Sequence, residues 1–247
     1  MKILIGLVAL IAIGIIGFWG WGTNSIVPQT TSLNEDEMYY TIMVEEPATT
    51  LLTSESADTK ARQTMHDALV AVVAQFKNDS GLESLTPEDI EIQGLGEDRK
   101  YALGGEYDEY QGKSTVSYVY RIYMDTLGAH PNHFYHTFTF DEAGNELMLQ
   151  DIFAAGAPYL TRLSEEAYKK VVEELTVRAN GEVYPEMEDT VRMGTAPSPE
   201  ALQFFYLTET DLHLLFPPYQ VAAYAAGSFD IAIPLSELGD VLKAEYQ

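Results

Sequence analysis

The sequence predicts an α+β fold, with antiparallel sheets and two main helices. Several segments alternate apolar and polar residues, which is the period of a strand that buries one face. Two longer segments carry apolar residues at helical spacing. The segments follow one another in the order strand, helix, strands, helix, strands, which is typical of an α+β protein with antiparallel pairing.

Four segments in the first half of the chain are predicted strands. In the longest of them, Val116, Tyr118 and Tyr120 alternate with polar residues, so one face of that strand is expected to be buried. Gly104-Gly105 is predicted to form a turn, and Gly144 is expected to take a positive φ in a hairpin loop. The predicted strands are Met38–Val44, Lys100–Gly105, Ser114–Thr126 and His133–Phe140.

Two segments are predicted helices that cover these strands. The first, Lys60–Phe76, has one apolar face, and Asp58 or Thr59 is expected to cap its start. The second begins at Pro158 and ends near Asn180-Gly181. Its predicted buried face comprises Leu160, Leu163, Ala167, Val171 and Leu175.

The C-terminal part is predicted to form a second set of strands. Before them, the acidic stretch Gly181–Pro199 is expected to be a surface excursion with a short helix or none. Pro217-Pro218 removes two backbone donors and forces the chain out of the sheet at a corner. Tyr219 and Tyr224 then bracket small residues up to Gly227, which predicts a tightly packed bend. The predicted strands are Leu202–Leu207, Leu212–Phe216 and Asp230–Pro234.

Composition excludes several classes of function. The 247 residues include 14 Lys and Arg against 38 Asp and Glu, a net charge of −24 that disfavours nucleic acid and favours basic partners or solubility. The chain contains no cysteine, so it has no disulfide framework, thiolate zinc site or thiol nucleophile.

The N-terminus predicts a membrane anchor over residues 1–22. Ile3–Trp21 has no charged residue and, as a helix, is about 28 Å long, close to the bilayer core. Lys2 precedes it and acidic residues follow, which places the N-terminus in the cytoplasm and the rest of the chain outside the cell membrane. A cleaved signal peptide is the alternative. Residues 23–37 are predicted to be a flexible stalk.

Three stretches resemble a bacterial extracytoplasmic family that includes the C-terminal domain of RsiV and the non-catalytic N-terminal part of the peptidoglycan deacetylase PdaC. They are GAHPN at Gly128–Asn132, LMLQDIF at Leu147–Phe153 and the stretch Leu202–Leu238. The resemblance covers roughly Met38 to Leu242, with departures at Ile152, Gln220 and Ala223. It implies a PdaC N-terminal-like domain over 38–145 and an RsiV C-terminal-like domain over 146–247.

The candidate ligand-binding residues are His130, Tyr219, Gln220 and Tyr224. His130 matches the G-A-H-P turn of the family, where it is expected to bond local backbone, and the tyrosines could line a groove for sugar or peptide or pack a corner. Gln220 stands where the family often has an acid. No cofactor is expected, and weak calcium binding by Glu182–Asp189 stays open.

A metal site is not expected at the spacing formed by His130, His133 and His136. In a strand, His133 and His136 point to opposite faces, so the three rings could not converge.

The resemblance implies a membrane-anchored, non-catalytic binding or sensing module of the cell envelope. Its expected ligand is peptidoglycan or a basic protein such as lysozyme. Two alternatives stay open: an envelope hydrolase that uses His130 with acidic residues, and a structural subunit of an envelope complex.

Overall fold

The computed structural model describes residues 30–179, 181 and 185–247. The predicted anchor over 1–22 lies outside the described residues. Within them, no helix has the length and apolar character needed to cross a membrane.

The N-terminal half forms a five-stranded sheet in the order β1-β2-β3-β4-β5. Its strands are β1 (Thr30–Asp36), β2 (Tyr40–Pro47), β3 (Tyr101–Gln111), β4 (Thr115–Asp125) and β5 (Asn132–Asp141). β2 and β3 pair in parallel, whereas the other neighbours are antiparallel. The prediction of purely antiparallel sheets is therefore wrong for this sheet. The cause is the long helix α1 (Glu55–Asp79), which carries the chain across the sheet between β2 and β3.

β1 occupies residues that were predicted to belong to the stalk, and this is a correction. Its backbone pairs with β2 along its whole length, and Leu33 packs against the core. The Lys77 ammonium donates to both carboxylate oxygens of Glu35 at 2.7 Å, and the Tyr40 hydroxyl donates to Glu35 as well. These contacts lower the pKa of Glu35 and attach a mostly polar edge strand to α1 and β2.

α1 covers one face of this sheet. It buries Ala61, Met65, Leu69 and Phe76 against the inward-facing residues of β2, β3, β4 and β5. The helix begins earlier than predicted, with Ser54 rather than Asp58 or Thr59 at the N-cap. Asp58 accepts instead from the Arg62 guanidinium at 2.9 Å, within the first turns. The predicted Gly104-Gly105 turn is also wrong, because both glycines lie inside β3.

The C-terminal half forms a second, three-stranded antiparallel sheet in the order β6-β7-β8. Its strands are β6 (Phe205–Leu207), β7 (Asp211–Phe216) and β8 (Phe229–Pro234). Helix α3 (Tyr159–Arg178) packs on it through Leu163, Ala167, Val171 and Leu175, as predicted, with Pro158 at the N-cap. The described part of the chain also contains two shorter α-helices, α2 (Pro87–Gln93) and α4 (Pro185–Gly194), and several 3-10 turns.

β6 joins the two sheets. The Leu207 N–H donates to the Ser117 hydroxyl at 3.2 Å, and the Phe205 N–H donates to the Thr137 hydroxyl at 3.3 Å. Val119 packs against the second sheet in a small apolar cluster. Because Ser117, Val119 and Thr137 point away from α1, the second sheet covers part of the face that α1 leaves open.

Candidate ligand-binding cleft

The uncovered remainder of that face forms a cleft of about 830 Å³. All five strands of the first sheet contribute to its floor, and the segment 217–228, which leaves the second sheet, forms one wall. The floor side chains alternate along each strand with those that face α1. They include Asn34, Met43, Glu45, Glu106, Arg121, Tyr123, His133 and Tyr135, and the wall contributes Pro218, Tyr224, Gly227 and Ser228.

Gly104 has no side chain, so the backbone itself forms the surface in the middle of the cleft floor. A Cβ at this position would lie 3.8 Å from the Tyr123 Cβ and 4.0 Å from the Met43 carbonyl oxygen, which are ordinary contacts. The backbone therefore accepts a small side chain here, but a larger one would project into the cleft. Met43 beside it is 65% exposed, although it is a large apolar residue.

Aromatic rings line the β4 and β5 side of the floor. Tyr123 and His133 are cross-strand partners whose rings meet edge to face at 5.3 Å. Tyr135 continues the row and packs on Phe204 at 6.3 Å between ring centroids. Rings of this kind offer apolar faces together with hydroxyl groups, which suits ligands that are partly apolar and partly polar.

Three charged residues line the floor: Glu45, Glu106 and Arg121. The Arg121 guanidinium forms an ion pair with Asp108, and the hydrogen bond from this contact raises the pKa of Arg121. Arg121 also lies directly across the strands from Glu106, whose negative charge contributes to the same shift.

Tyr224 is the aromatic residue of the wall, and His130 supports it from behind. Their rings stack at 4.3 Å, and the Tyr224 hydroxyl donates to the Pro131 carbonyl at 3.2 Å. His130 Nδ1 lies 2.9 Å from the same carbonyl, and its Nε2 lies 3.0 Å from the Tyr219 hydroxyl. Since a carbonyl only accepts, Nδ1 carries the proton, and in the neutral ring Nε2 accepts from Tyr219.

The far end of the wall is attached to α3. Arg178, in the last turn of that helix, donates to the carbonyl oxygens of Ala226 at 2.5 Å and of Ser228 at 3.1 Å. Its guanidinium also lies 3.9 Å from the centroid of the Phe229 ring. The wall is therefore held by side chains from both halves of the protein.

The structure brings three of the four candidate residues together. His130, Tyr219 and Tyr224 are in mutual contact, but of these only Tyr224 lines the cleft. Gln220 turns away, and its amide donates to the carbonyl oxygens of Gly194 at 2.9 Å and Ala201 at 2.7 Å. Ligand binding by these residues stays a prediction.

Sequence reasoning missed most of the floor, including Met43, Glu45, Gly104 and Glu106. Alternation along β4 separated Arg121 from Tyr118 and Tyr120, which was a usable signal for one part of the floor. It did not show that β2 lies beside β3, because the pairing of those strands depends on the crossover through α1.

The histidines lie on opposite faces, as the alternation predicted. His133 faces the cleft, whereas His136 stacks on Phe138 at 4.6 Å on the α1 side, where burial lowers its pKa. No group of three or more potential ligands among the described residues is arranged to hold a metal ion. The segment 182–189 is only partly described.

Two solved structures of DUF3298 family proteins have a similar fold. A protein of the DUF3298 family from Bacteroides fragilis matches 90% of this chain and 96% of its own at a TM-score of 0.58 and 19% identity. A second, from Pseudomonas aeruginosa, matches 89% of this chain and 96% of its own at a TM-score of 0.61 and 15% identity. Both likenesses concern the α+β fold.

The sequence comparisons add a related protein. Residues 150–236 match the family model described as "Protein of unknown function (DUF3298)". The chain is 35% identical over 138 residues, 56% of its length, to the peptidoglycan-N-acetylmuramic acid deacetylase PdaC of Bacillus subtilis. It spans 28% of that protein. These matches support the PdaC-related part of the predicted resemblance.

Proposed function

We propose that this protein is a non-catalytic binding module of the cell envelope, anchored to the membrane by its N-terminus, that holds a peptidoglycan glycan strand in the cleft. The observation that carries the proposal is the cleft itself, an uncovered sheet face of about 830 Å³ with an aromatic wall. Five strands at about 4.8 Å spacing make a floor about 19 Å wide, enough for a short run of sugar rings.

The chemistry of the lining supports a sugar ligand. Tyr123, Tyr135 and Tyr224 provide ring faces, while Asn34 and the carboxylates provide hydrogen-bonding groups. Ligand sites commonly combine an apolar surface with a few polar groups that fix orientation. PdaC, which is similar to part of this chain, is named for its action on the N-acetylmuramic acid of peptidoglycan. That name favours a glycan over other ligands.

The arrangement around His130 favours binding over catalysis. Its two ring nitrogens are occupied by the Pro131 carbonyl and the Tyr219 hydroxyl, and neither partner is a carboxylate that would orient a general base. Burial raises the pKa of Glu109, but this residue faces α1 and not the cleft. An envelope hydrolase built on His130 therefore lacks its acidic partner in the described part of the chain.

A basic protein such as lysozyme, the partner that the RsiV resemblance implies, is the second candidate. The net charge of −24 favours it, because an acidic surface accelerates the encounter with a basic partner. Attraction of this kind fades as salt screens the charges, whereas contacts inside a cleft persist.

The experiment is a binding titration of the full chain against purified peptidoglycan glycan strands and against lysozyme, at low and moderate salt. Tyr123→Ala and Tyr224→Ala should each weaken glycan binding by about tenfold, as expected for a lost aromatic contact of about 1–2 kcal/mol. Ile92→Ala, which removes an exposed apolar side chain of α2 outside the cleft, is the control and should bind as the wild type does. Glycan affinity that is unchanged by both cleft substitutions would contradict the proposal. Binding to lysozyme that survives moderate salt, without binding to glycan strands, would favour the second candidate.

A further inference from the structure

β1 lies at the outer edge of the first sheet, and the backbone groups on its outer side have no hydrogen-bond partner among the described residues. The Glu37 N–H donates to the Tyr40 carbonyl at 2.9 Å, so these two residues form a bonded pair at the turn between β1 and β2. Bonded and non-bonded pairs alternate along an antiparallel ladder. The N–H and C=O groups of Ser32, Asn34 and Asp36 therefore point away from β2.

This edge has none of the features that commonly keep an edge strand from pairing with another chain. Natural edge strands are often blocked by a proline, a lysine or a bulge. β1 contains neither proline nor lysine, and its seven residues pair with β2 in one continuous register. Ser32, Asn34 and Asp36 are also exposed. Within the described part of the chain, the edge is thus open to an extended chain that would add a further strand.

The same residues connect the edge to the cleft. Ser32 and Asn34 line the cleft, while their backbone groups face outward. A glycan that lies across the five strands reaches the edge of the sheet at these two residues. The glycan of peptidoglycan carries short peptides, so a ligand that fills the cleft brings an extended chain to this edge.

From this geometry we infer that the outer edge of β1 binds the peptide attached to the glycan, as an additional strand of the sheet. The inference rests on the proposed function and names the part of the ligand that lies outside the cleft. The distance along the strand from Ser32 to Asp36 is about 13 Å, which matches an extended peptide of about four residues. Strand addition depends on main-chain hydrogen bonds, so the edge accepts the peptide with little regard to its side chains.

The test compares the affinity of the full chain for two sets of glycan strands of equal length, one with its peptides and one from which an amidase has removed them. Asn34→Pro removes an outward N–H and retains the pairing with β2, because proline is tolerated on the open side of an edge strand. Asn34→Ala is the matched control, since it removes the same side chain and retains the N–H. Ser32→Pro and Ser32→Ala form a second pair, and urea denaturation verifies that each variant is folded.

We expect peptide-bearing strands to bind at least about tenfold more tightly than peptide-free strands, since several hydrogen bonds form at the edge. Each proline variant should bind peptide-bearing strands about fivefold more weakly than the alanine variant at the same position, because one hydrogen bond is lost. Proline and alanine variants should bind peptide-free strands equally. Amide hydrogen exchange at Asn34 should be fast in the free protein and slower when peptide-bearing strands are bound.

Equal affinity for the two sets of strands would overturn the inference, as would proline variants that bind as their alanine controls do. Slow exchange at Asn34 in the free protein would also overturn it, because the edge would then be covered by another part of the chain or by a second copy. In each of these cases, glycan binding that depends on Tyr224 would leave the proposed function standing. If neither set of strands binds, the inference and the proposed function fail together.

Discussion

His130 accepts a hydrogen bond from Tyr219 at 3.0 Å, although 89 residues separate them in the chain. The contact connects the loop between β4 and β5 to the segment 217–228 of the second sheet. His130 also stacks on Tyr224, the aromatic residue of the cleft wall. His130 and Tyr219 are therefore positioning residues: they hold Tyr224 over the floor from outside the cleft.

Tyr219→Phe should lower the free energy of unfolding by about 1 kcal/mol, because the hydrogen bond to His130 is lost. Glycan affinity should fall by a smaller factor than in Tyr224→Ala. Tyr219 has a φ of 73° and is 59% exposed, a conformation that costs a residue other than glycine about 1–2 kcal/mol. Tyr219→Gly relieves that strain but also removes the ring contacts with His130 and Tyr224, so in urea denaturation it should be close in stability to Tyr219→Phe. A Gly variant that is less stable by more than about 2 kcal/mol would mean that the ring contacts outweigh the relief of strain.

Gln220→Ala should destabilise the fold and leave ligand affinity unchanged. The amide of Gln220 holds the carbonyl oxygens of Gly194 and Ala201, so its removal leaves two backbone acceptors without their partner. We expect a loss of about 1–3 kcal/mol in the free energy of unfolding. Urea denaturation and a glycan titration at a temperature where the variant is folded separate the two effects. A variant of normal stability that binds poorly would make Gln220 a ligand residue.

Gly104→Val should close the cleft without unfolding the sheet. The Cβ has room, and valine suits a strand better than glycine does, so the free energy of unfolding should stay within about 1 kcal/mol of the wild type or rise. Its methyl groups would project between Met43 and Tyr123, and glycan affinity should fall. Unchanged affinity in a folded variant would place the ligand elsewhere.

Glu109→Gln should stabilise the protein at neutral pH by about 1 kcal/mol, since one carboxylate oxygen of Glu109 is buried without a partner. Burial raises the pKa of Glu109, so the folded state binds its proton more tightly than the unfolded state does. The stability that this provides is present below about pH 4.3, the ordinary value, and is lost as the pH rises through the raised pKa. The gain from Glu109→Gln should grow over that window in thermal unfolding. Glu173→Gln, on the exposed side of α3, should show no such growth.

Local pattern predicted the elements better than their arrangement. Alternation along β4 separated Tyr118 and Tyr120, which face α1, from Arg121, which faces the cleft. The parallel neighbours β2 and β3 could not be found in this way, because their pairing follows from a helix that intervenes between them. The edge strand β1 was missed because its polar residues carry little pattern, and contacts with Lys77 and Tyr40 position it. The same long-range pairing puts Met43 beside Gly104, so the floor of the cleft became visible only in the fold.

The turn after β5 contacts α1, so substitutions in it can show how tightly the helix packs there. Gly144 has a φ of 76°, as the sequence predicted, and a Cβ there would lie 2.5 Å from the carbonyl oxygen of Ala57 in α1. Gly156 has nearly the same φ, 77°, but nothing lies within 4 Å of its Cβ position. Gly156→Ala should therefore cost only the backbone strain, about 1–2 kcal/mol. Gly144→Ala should cost a further 1–3 kcal/mol, roughly the penalty of overpacking, because α1 must move away from the turn. Equal losses in the free energy of unfolding for the two variants, measured in urea, would mean that α1 can move away from this turn without a cost in stability.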